Sequence, residues 1–277
     1  PFQLCKFTME QRPASRGEFK TPQKQKLSLL RAADINDYLT ETCESLKVDA
    51  RIVETQALAV AIQTNMVYIS SNGAHIEQEF SRTSRSCTAT AQTTGVVQTR
   101  SSHGHLAQSH QGGAELFAIE EMKSHAHRIG EQAIELILAE NCPSDTRSLV
   151  LHPDQMYMQI HESIGHPLEL DRIMGDERNY AGWSFLNLKD FGNLQYGSPL
   201  MNVTFDPEKS GEYASYAFDD AGLKAERQFL IKDGMLLRGL GGSESQFRSG
   251  TPGVANFRAA SWNRAPIDRI GNINVEV

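Results

Sequence analysis

One short stretch of the chain combines residue types that can hold a metal ion and activate water. His161 and His166 enclose Glu162 in the pattern H-E-x-x-x-H. Neutral imidazole is a good ligand for Zn²⁺, and a carboxylate beside the first ligand can take a proton from a metal-bound water. The pattern therefore favours a metal site with these two histidines as ligands. Hydrogen-bonded structural histidines are the alternative.

The spacing of the two histidines constrains the backbone between them. On a regular α-helix, at about 100° per residue, their rings would point roughly 140° apart. A single π-like turn, at about 4.4 residues per turn, reduces that angle to roughly 50°. Gly165 is conformationally free, and Pro167 should push His166 out of the right-handed helical region and end the helix. We therefore expect a relaxed turn between the histidines.

The surrounding elements can be read from apolar periodicity. Apolar residues three or four apart predict a helix from Ala114 to Asn141, which Pro143 ends. Ser148–His152 is interpreted as a buried strand, and Pro153 should open the helix that carries the motif. Strands are expected at residues 200–205, 213–218, 227–231 and 235–240.

Before the first of these helices, residues 1–22 are interpreted as a surface lead-in. Residues 48–111 are interpreted as a β-meander with a hairpin at Asn72-Gly73. The predicted fold is α+β, with two mainly antiparallel sheet regions separated by two helices, the second carrying the motif. We expect an N-terminal α+β domain at residues 1–145, incomplete at its start. A mainly β domain that carries the motif should follow at 146–277, truncated at its end.

Composition limits the class of protein. The 277 residues carry 34 acidic and 27 basic side chains, a net charge of −7, which argues against a general nucleic-acid binder. No apolar run approaches the roughly 20 residues that span a bilayer, so no membrane partner is expected. The four cysteines (Cys5, Cys43, Cys87 and Cys142) are scattered, which favours reduced thiols and a cytoplasmic location.

Residues 161–172, H-E-S-I-G-H-P-L-E-L-D-R, resemble the signature of the TldD branch of the TldD/PmbA family of metallopeptidases. The resemblance continues through Tyr216–Gly222, Y-A-F-D-D-A-G, and the strand pair around Lys232–Leu236. The helix that begins at Ala114 also fits the family layout. The resemblance thus covers most of the chain from about residue 50 onward.

This resemblance implies a cytoplasmic, zinc-dependent peptidase that acts on unfolded or leader peptides. His161 and His166 would be zinc ligands, and Glu162 would activate the metal-bound water. The family works as a homodimer, or as a heterodimer with a paralogue that lacks the motif. Substrate would lie extended against a sheet edge, for which residues 199–206 are the guess. A non-catalytic partner or substrate-clamping subunit with an empty metal site is the alternative.

The resemblance also implies a third zinc ligand, a cysteine in a C-terminal segment. All four cysteines precede the motif, and none has a matching context. We therefore expect the third ligand beyond Val277. The 277-residue chain would then hold zinc weakly and have little activity, because catalytic zinc usually has three protein ligands and a water.

Several other residues have two interpretations. Glu169 and Asp171 are each either a partner of a ligand histidine or a surface carboxylate. His103, His105 and His110 are interpreted as a polar strand face, with a second metal site as the alternative, and His125 and His127 as solvated. Asp219–Gly222 is expected to be a turn, and Gly239–Gly242 a flexible connection.

Overall fold

The structure, a computed structural model, describes residues 11–103 and 108–276. These residues form an α+β fold with five α-helices and eleven strands, and the H-E-x-x-x-H motif lies in a helical segment. The helices are α1 (Ala32–Ser45), α2 (Ile119–Leu138), α3 (Pro153–Ile160), α4 (Leu170–Met174) and α5 (Ser243–Ser249). The strands are β1 (Arg16–Lys20), β2 (Ile52–Ile69), β3 (His75–Thr93), β4 (Val96–Ser101), β5 (Gln108–Gln111), β6 (Asn202–Phe205), β7 (Gln228–Lys232), β8 (Met235–Leu236), β9 (Phe257–Arg258), β10 (Ile267–Asp268) and β11 (Ile273–Glu276).

Contacts divide the chain into two compact units. Among the described residues, one unit contains Thr21–Thr64 and Phe80–Met156, and the other contains those up to Lys20, Asn65–Glu79 and those from Tyr157 onward. Strands β2 and β3 therefore contribute residues to both units. The domain boundary near residue 145 stays a prediction.

The first sheet is built on the long hairpin of β2 and β3. Its core order is β1-β3-β2, and β4 and β5 also pair with β3. The predicted turn at Asn72-Gly73 is confirmed, since Gly73 has a φ of +97°, which favours glycine. Strand β1 pairs in parallel with β3, so the interpretation of residues 1–22 as a surface lead-in is wrong for Arg16–Lys20.

Helix α2 supplies the main apolar face of the unit that contains it. Its buried residues step by three or four along the helix, as its periodicity predicts. Together with Tyr38, Leu46 and Cys87 they form one core cluster. Of the described cysteines, Cys43, Cys87 and Cys142 are free thiols, as expected. Cys5 lies outside the described residues.

A four-stranded antiparallel sheet of order β11-β6-β7-β8 supports the motif-bearing unit. Its core includes Val203, Phe205, Leu230 and Leu236, which are fully buried. Strand β6 pairs on both sides, with β11 and β7. The guess that residues 199–206 offer a sheet edge to substrate is therefore wrong.

Two other strand predictions are wrong. Residues 148–152 form no strand and are exposed, with Leu149 and Val150 at 76% and 88% exposure. Residues 213–218 form no strand: Phe218 makes an isolated bridge to Lys224, and the buried Gln78 side chain bonds the backbone beside it. Its amide oxygen accepts the N–H groups of Ala217 and Phe218, and its amide nitrogen donates to the Phe218 carbonyl. A local apolar pattern does not reveal whether a partner strand is present.

Candidate metal centre

A π-turn joins the two histidines of the motif. It spans His161–Gly165, directly after α3, and the N–H of His166 donates to the carbonyl of His161, five residues earlier. The two imidazole rings meet edge to face, with centroids 4.5 Å apart. The predicted relaxed turn is therefore confirmed, and it brings both rings to one place.

Gly165 and Pro167 act differently from the expectation. His166 stays in the right-handed helical region, at φ −60° and ψ −40°, because that region is disfavoured before proline but not forbidden. Gly165 is also right-handed, at φ −55° and ψ −71°. Glycine is needed there for space, since a Cβ would lie 2.6 Å from Cδ1 of Ile270. Pro167 is the second residue of a 3₁₀ turn, His166–Leu168, where its missing N–H costs nothing.

Tyr196 satisfies the carbonyl that Pro167 leaves without a helical donor. The hydroxyl of Tyr196 donates to the carbonyl oxygen of Ser163, four residues before the proline. Burial raises the pKa of Tyr196 to about 12, so the hydroxyl remains a donor at neutral pH. Tyr196 therefore stabilises the turn that aligns the histidines, a role that local sequence does not reveal.

The side chains of His161, Glu162 and His166 form a cluster suited to a metal ion. One ligand atom from each lies within 4.8 Å of the others. Ligand atoms around a tetrahedral zinc ion are about 3.4 Å apart, so small side-chain rotations bring this set into range. Burial, and next the neighbouring His166, lower the pKa of His161. A lowered pKa keeps the imidazole neutral, which is the form that binds metals, so the donor set fits a divalent ion such as zinc.

Glu169 orients His166. Its side chain is 1% exposed, and its Oε2 lies 3.0 Å from His166 Nδ1. Arg172 Nη2 lies 2.9 Å from the same oxygen and 3.1 Å from that ring nitrogen. An imidazole nitrogen carries either a proton or a lone pair in the plane of the ring. Nδ1 of His166 therefore cannot both donate to Glu169 and accept from Arg172. We assign Nδ1–H as the donor to Glu169 and Arg172 as a donor to the carboxylate, which leaves His166 Nε2 free for a metal. Of the two interpretations of Glu169, the structure supports the partner role.

Replacing Glu169 with glutamine should weaken zinc binding about 10- to 100-fold, the range for loss of an outer partner of a ligand histidine. The neutral amide polarises the imidazole less and leaves the buried Arg172 without its counter-charge. The zinc dissociation constant of the full-length protein, from competition with a chelating dye, measures the effect. Glu54→Gln, which removes an exposed carboxyl on β2, is the matched control. Equal affinity in the two variants would contradict the role of Glu169.

The segment after the motif is clamped by a glycine-rich strand-like stretch. The N–H of Leu240 donates to the Leu168 carbonyl and the Leu240 carbonyl accepts from Leu170, at 2.7 and 2.8 Å. A Cβ on Gly239 or Gly241 would lie 2.4 or 2.3 Å from a methyl of Leu170. The interpretation of Gly239–Gly242 as a flexible connection is therefore wrong, because these glycines permit close packing.

Asp171 and Asp268 hold α4 against β10 by reciprocal hydrogen bonds. Each carboxylate accepts the backbone N–H of the other residue at 3.1 Å, and Asp268 also accepts that of Gly242. Burial, followed by the charge of Glu169, raises the pKa of Asp171 to about 7, and burial, followed by the charge of Asp171, raises that of Asp268 to about 8. Asp171 is thus buried rather than at the surface, and its carboxylate accepts backbone N–H groups, so it serves packing.

This pair predicts that stability falls as pH rises. Unfolded carboxyl groups are ionised above about pH 5, whereas the folded pair retains a proton towards pH 7 to 8. Each retained proton lowers the free energy of unfolding by about 1.4 kcal/mol per pH unit across that window. Urea unfolding between pH 5 and 8 measures the slope. Asp268→Asn should flatten it, whereas Asp233→Asn, at an exposed turn, should not. Identical slopes in both variants would contradict this account.

The remaining histidines do not join the cluster. His103 and His125 stack with ring centroids 5.1 Å apart, and burial lowers the pKa of each. His125 is half-buried, so its interpretation as solvated is wrong, whereas His127 is exposed as expected. His110 lies in β5, and His105 lies outside the described residues. Among the described residues, only His161, Glu162 and His166 form a group of three potential metal ligands.

The other predicted turn is confirmed. Gly222 has a φ of +87° and closes the segment Asp219–Gly222. The Asp219 carboxylate organises the turn by accepting the N–H groups of Ala221 and Leu223 at 3.0 and 2.9 Å. The Asp219 side chain therefore fixes the loop, and it is not part of the cluster of potential metal ligands.

A cavity of about 540 Å³ opens beside the cluster. Its wall includes Glu162, His166 and Arg172 from the motif region and Trp183, Phe185 and Tyr196 from the following segment. A potential ligand, a carboxylate and three aromatic side chains thus face one space. No helix among the described residues is long and apolar enough to span a membrane.

Comparison with known proteins assigns the family. The model of the PmbA/TldA metallopeptidase central domain matches residues 19–139, and that of the C-terminal domain matches residues 144–277. The chain therefore belongs to the PmbA/TldD metallopeptidase family. Its His161-Glu162-His166 cluster fits the TldD-type branch.

Curated relatives carry the name metalloprotease. One from Methanothermobacter thermautotrophicus is 28% identical over 87% of this chain and 50% of its own length. Another, from Methanocaldococcus jannaschii, is 26% identical over 74% of this chain and 42% of its own length. The chain thus spans half or less of the length of these curated relatives.

Solved structures share the fold. A proposed modulator of a DNA gyrase from Thermotoga maritima matches with a TM-score of 0.70 and 17% identity, over 92% of this chain and 54% of that one. TldE from Thermococcus kodakarensis matches with a TM-score of 0.59 and 14% identity, over 87% and 52%. At such identities the matches support the fold alone.

Proposed function

We propose that this chain carries the metal-binding part of a zinc-dependent peptidase that hydrolyses peptide bonds in unfolded or leader peptides. The observation that carries the proposal is the cluster of His161, Glu162 and His166, whose ligand atoms lie within 4.8 Å of one another. Family membership and the metalloprotease relatives support the same activity.

In this proposal His161 and His166 hold the metal, and Glu162 accepts a proton from the attacking water. Bound zinc would supply Lewis acidity, which polarises a peptide carbonyl and eases deprotonation of water. Glu169 keeps the proton on His166 Nδ1, so that Nε2 remains a lone-pair donor. Glu162 is exposed in the cavity wall, where a substrate can reach it.

The size of the cavity supports an unfolded substrate. About 540 Å³ accommodates a few side chains of an extended segment but no folded domain. Zinc is proposed as the metal because neutral imidazole, which His161 and His166 supply, is a common ligand of catalytic zinc. A cytoplasmic location and a homodimer, or a heterodimer with a motif-lacking paralogue, remain part of the proposal.

The competing candidate is a non-catalytic, substrate-clamping subunit. Such a subunit has no need of Glu162, His161 and His166 together, and this chain has all three in one cluster. That completeness favours the catalytic function.

Metal removal tests the proposal. The full-length protein, with any partner subunit that co-purifies, should cleave an unfolded reporter peptide, lose that activity with a chelator and regain it when zinc is restored. Persistent cleavage in the metal-free protein would contradict a metallopeptidase. Absence of both zinc binding and cleavage of any unfolded peptide would favour the clamping subunit.

A further inference from the structure

Two large aromatic side chains are exposed in the cavity wall beside the metal cluster. Trp183 and Phe185 are 74% and 63% exposed, and both line the same cavity as Glu162 and His166. Large aromatic side chains stabilise a folded protein mostly when they are buried. Two exposed rings beside a candidate catalytic cluster therefore indicate a surface that binds something. We call Trp183 and Phe185 together the aromatic subsite.

The backbone that carries the aromatic subsite is fixed in place. Burial alternates along it, with Ser184 and Leu186 buried and the two aromatic residues exposed. The hydroxyl of Ser184 donates to the carbonyl of Pro167 at 2.7 Å and accepts the N–H of Leu186 at 3.1 Å. Because Pro167 directly follows His166, these bonds tie the aromatic segment to the motif itself.

The chemistry of the cavity wall favours an apolar occupant. Phe185 lies beside Tyr196, with ring centroids 6.1 Å apart, so the apolar surface continues towards the π-turn. The guanidinium of Arg172 is paired with the buried Glu169. The exposed carboxylate of Glu162 also faces the cavity, but a bound zinc ion would offset its charge, so the preference is expected to come from the apolar rings.

From this arrangement we propose that the aromatic subsite binds a bulky apolar side chain, preferably aromatic, next to the peptide bond that is cut. The inference rests on the proposed peptidase function and names a preference within it. Extended peptides would be held by this contact at a fixed distance from Glu162. Cleavage would then favour phenylalanine or leucine over alanine and aspartate near the scissile bond.

A set of matched peptides tests this preference. Unstructured decapeptides that differ only in one residue, Phe, Leu, Ala or Asp, are given to the zinc-loaded full-length protein, and mass spectrometry locates the cut. We expect kcat/KM for the Phe peptide to exceed that for the Ala peptide about tenfold, as expected for an aromatic side chain entering an apolar pocket.

Variants assign the preference to the aromatic subsite. Trp183→Ala and Phe185→Ala should each reduce the Phe-over-Ala ratio to about threefold or less, since each removes one wall of the contact. Trp262→Ala is the matched control, because Trp262 is 97% exposed and is absent from the cavity wall. It should keep the tenfold ratio. Circular dichroism verifies that all three variants fold.

A binding measurement separates this inference from the peptidase function. Fluorescence anisotropy of labelled Phe and Ala decapeptides on the Glu162→Gln variant should give a similar ratio of dissociation constants. If binding shows the preference and Trp183→Ala removes it, but no peptide is cleaved, the subsite stands and the peptidase function fails. Cleavage with no side-chain preference, or a preference that Trp183→Ala leaves unchanged, overturns the subsite. Absence of both cleavage and preferential binding overturns it as well.

Discussion

Replacing Glu162 with glutamine should lower peptide cleavage by the full-length protein about 10²- to 10⁴-fold, the range for loss of a general base, while zinc remains bound. Glutamine keeps the shape of the side chain but has no basic carboxylate to accept a proton. His161 and His166, which would hold the metal, are unchanged. Initial rates on an unfolded reporter peptide and zinc content per chain measure the two effects.

Glu162→Gln also separates two roles that the geometry allows for Glu162. The carboxylate lies within 4.8 Å of the histidine ligand atoms, so it is near enough to be a ligand itself. Loss of zinc in the variant would assign Glu162 as a ligand. Full activity with zinc retained would exclude it as the base. The control is Glu226→Gln, which removes an exposed carboxyl that is paired with Lys224, and it should keep both zinc and activity.

Replacing His166 with alanine should remove both zinc binding and cleavage. The substitution deletes one of the two imidazoles that the π-turn brings together, and a single histidine with one carboxylate holds zinc poorly. We expect a fall in zinc affinity beyond the 10- to 100-fold that loss of an outer partner causes. Calorimetric zinc titration of the full-length variant measures it.

His127→Ala is the matched control for this experiment. His127 is exposed on α2 and lies outside the cluster, so its loss should leave zinc affinity unchanged. If His166→Ala bound zinc as tightly as His127→Ala, His166 would not be a ligand. The convergence of the two rings would then serve packing only.

The spacing of the motif was sufficient to predict the π-turn. Two histidines that are five positions apart and share one ion fit one wide turn and not a regular α-helix. The local causes were less predictable. Gly165 is required by the side chain of Ile270, which is 105 residues away in the chain, so sequence alone suggested backbone freedom where the structure needs space.

The partners of the motif depend on tertiary contacts. The sequence allowed two interpretations of Glu169, a surface carboxylate or a partner of a ligand histidine. It could not decide between them because the burial of Glu169 depends on the contact with Leu240 and its neighbouring glycines. Tyr196 gave no local signal, since its partner is a carbonyl 33 residues away. Helix α2, by contrast, follows from its own periodicity, because one apolar face suffices to define it.

The exposed segment at residues 148–152 shows where an apolar pattern predicts an element that does not form. Its apolar run has the composition of a buried strand, yet the described residues provide no partner for it. A strand needs neighbours on its hydrogen-bonding edges, and periodicity reports only side-chain preference. Strand predictions therefore failed here and at residues 213–218, whereas helix α2 and strands β6 and β7 were predicted.

The most direct test of the account is to locate zinc relative to the two imidazoles. Crystals of the full-length protein soaked with zinc should show an anomalous scattering peak at about 2.0 to 2.1 Å from one nitrogen each of His161 and His166. The histidines should still be joined by a π-turn. A peak elsewhere, or two rings that point apart without a shared ion, would contradict the claim that the relaxed turn builds a metal site.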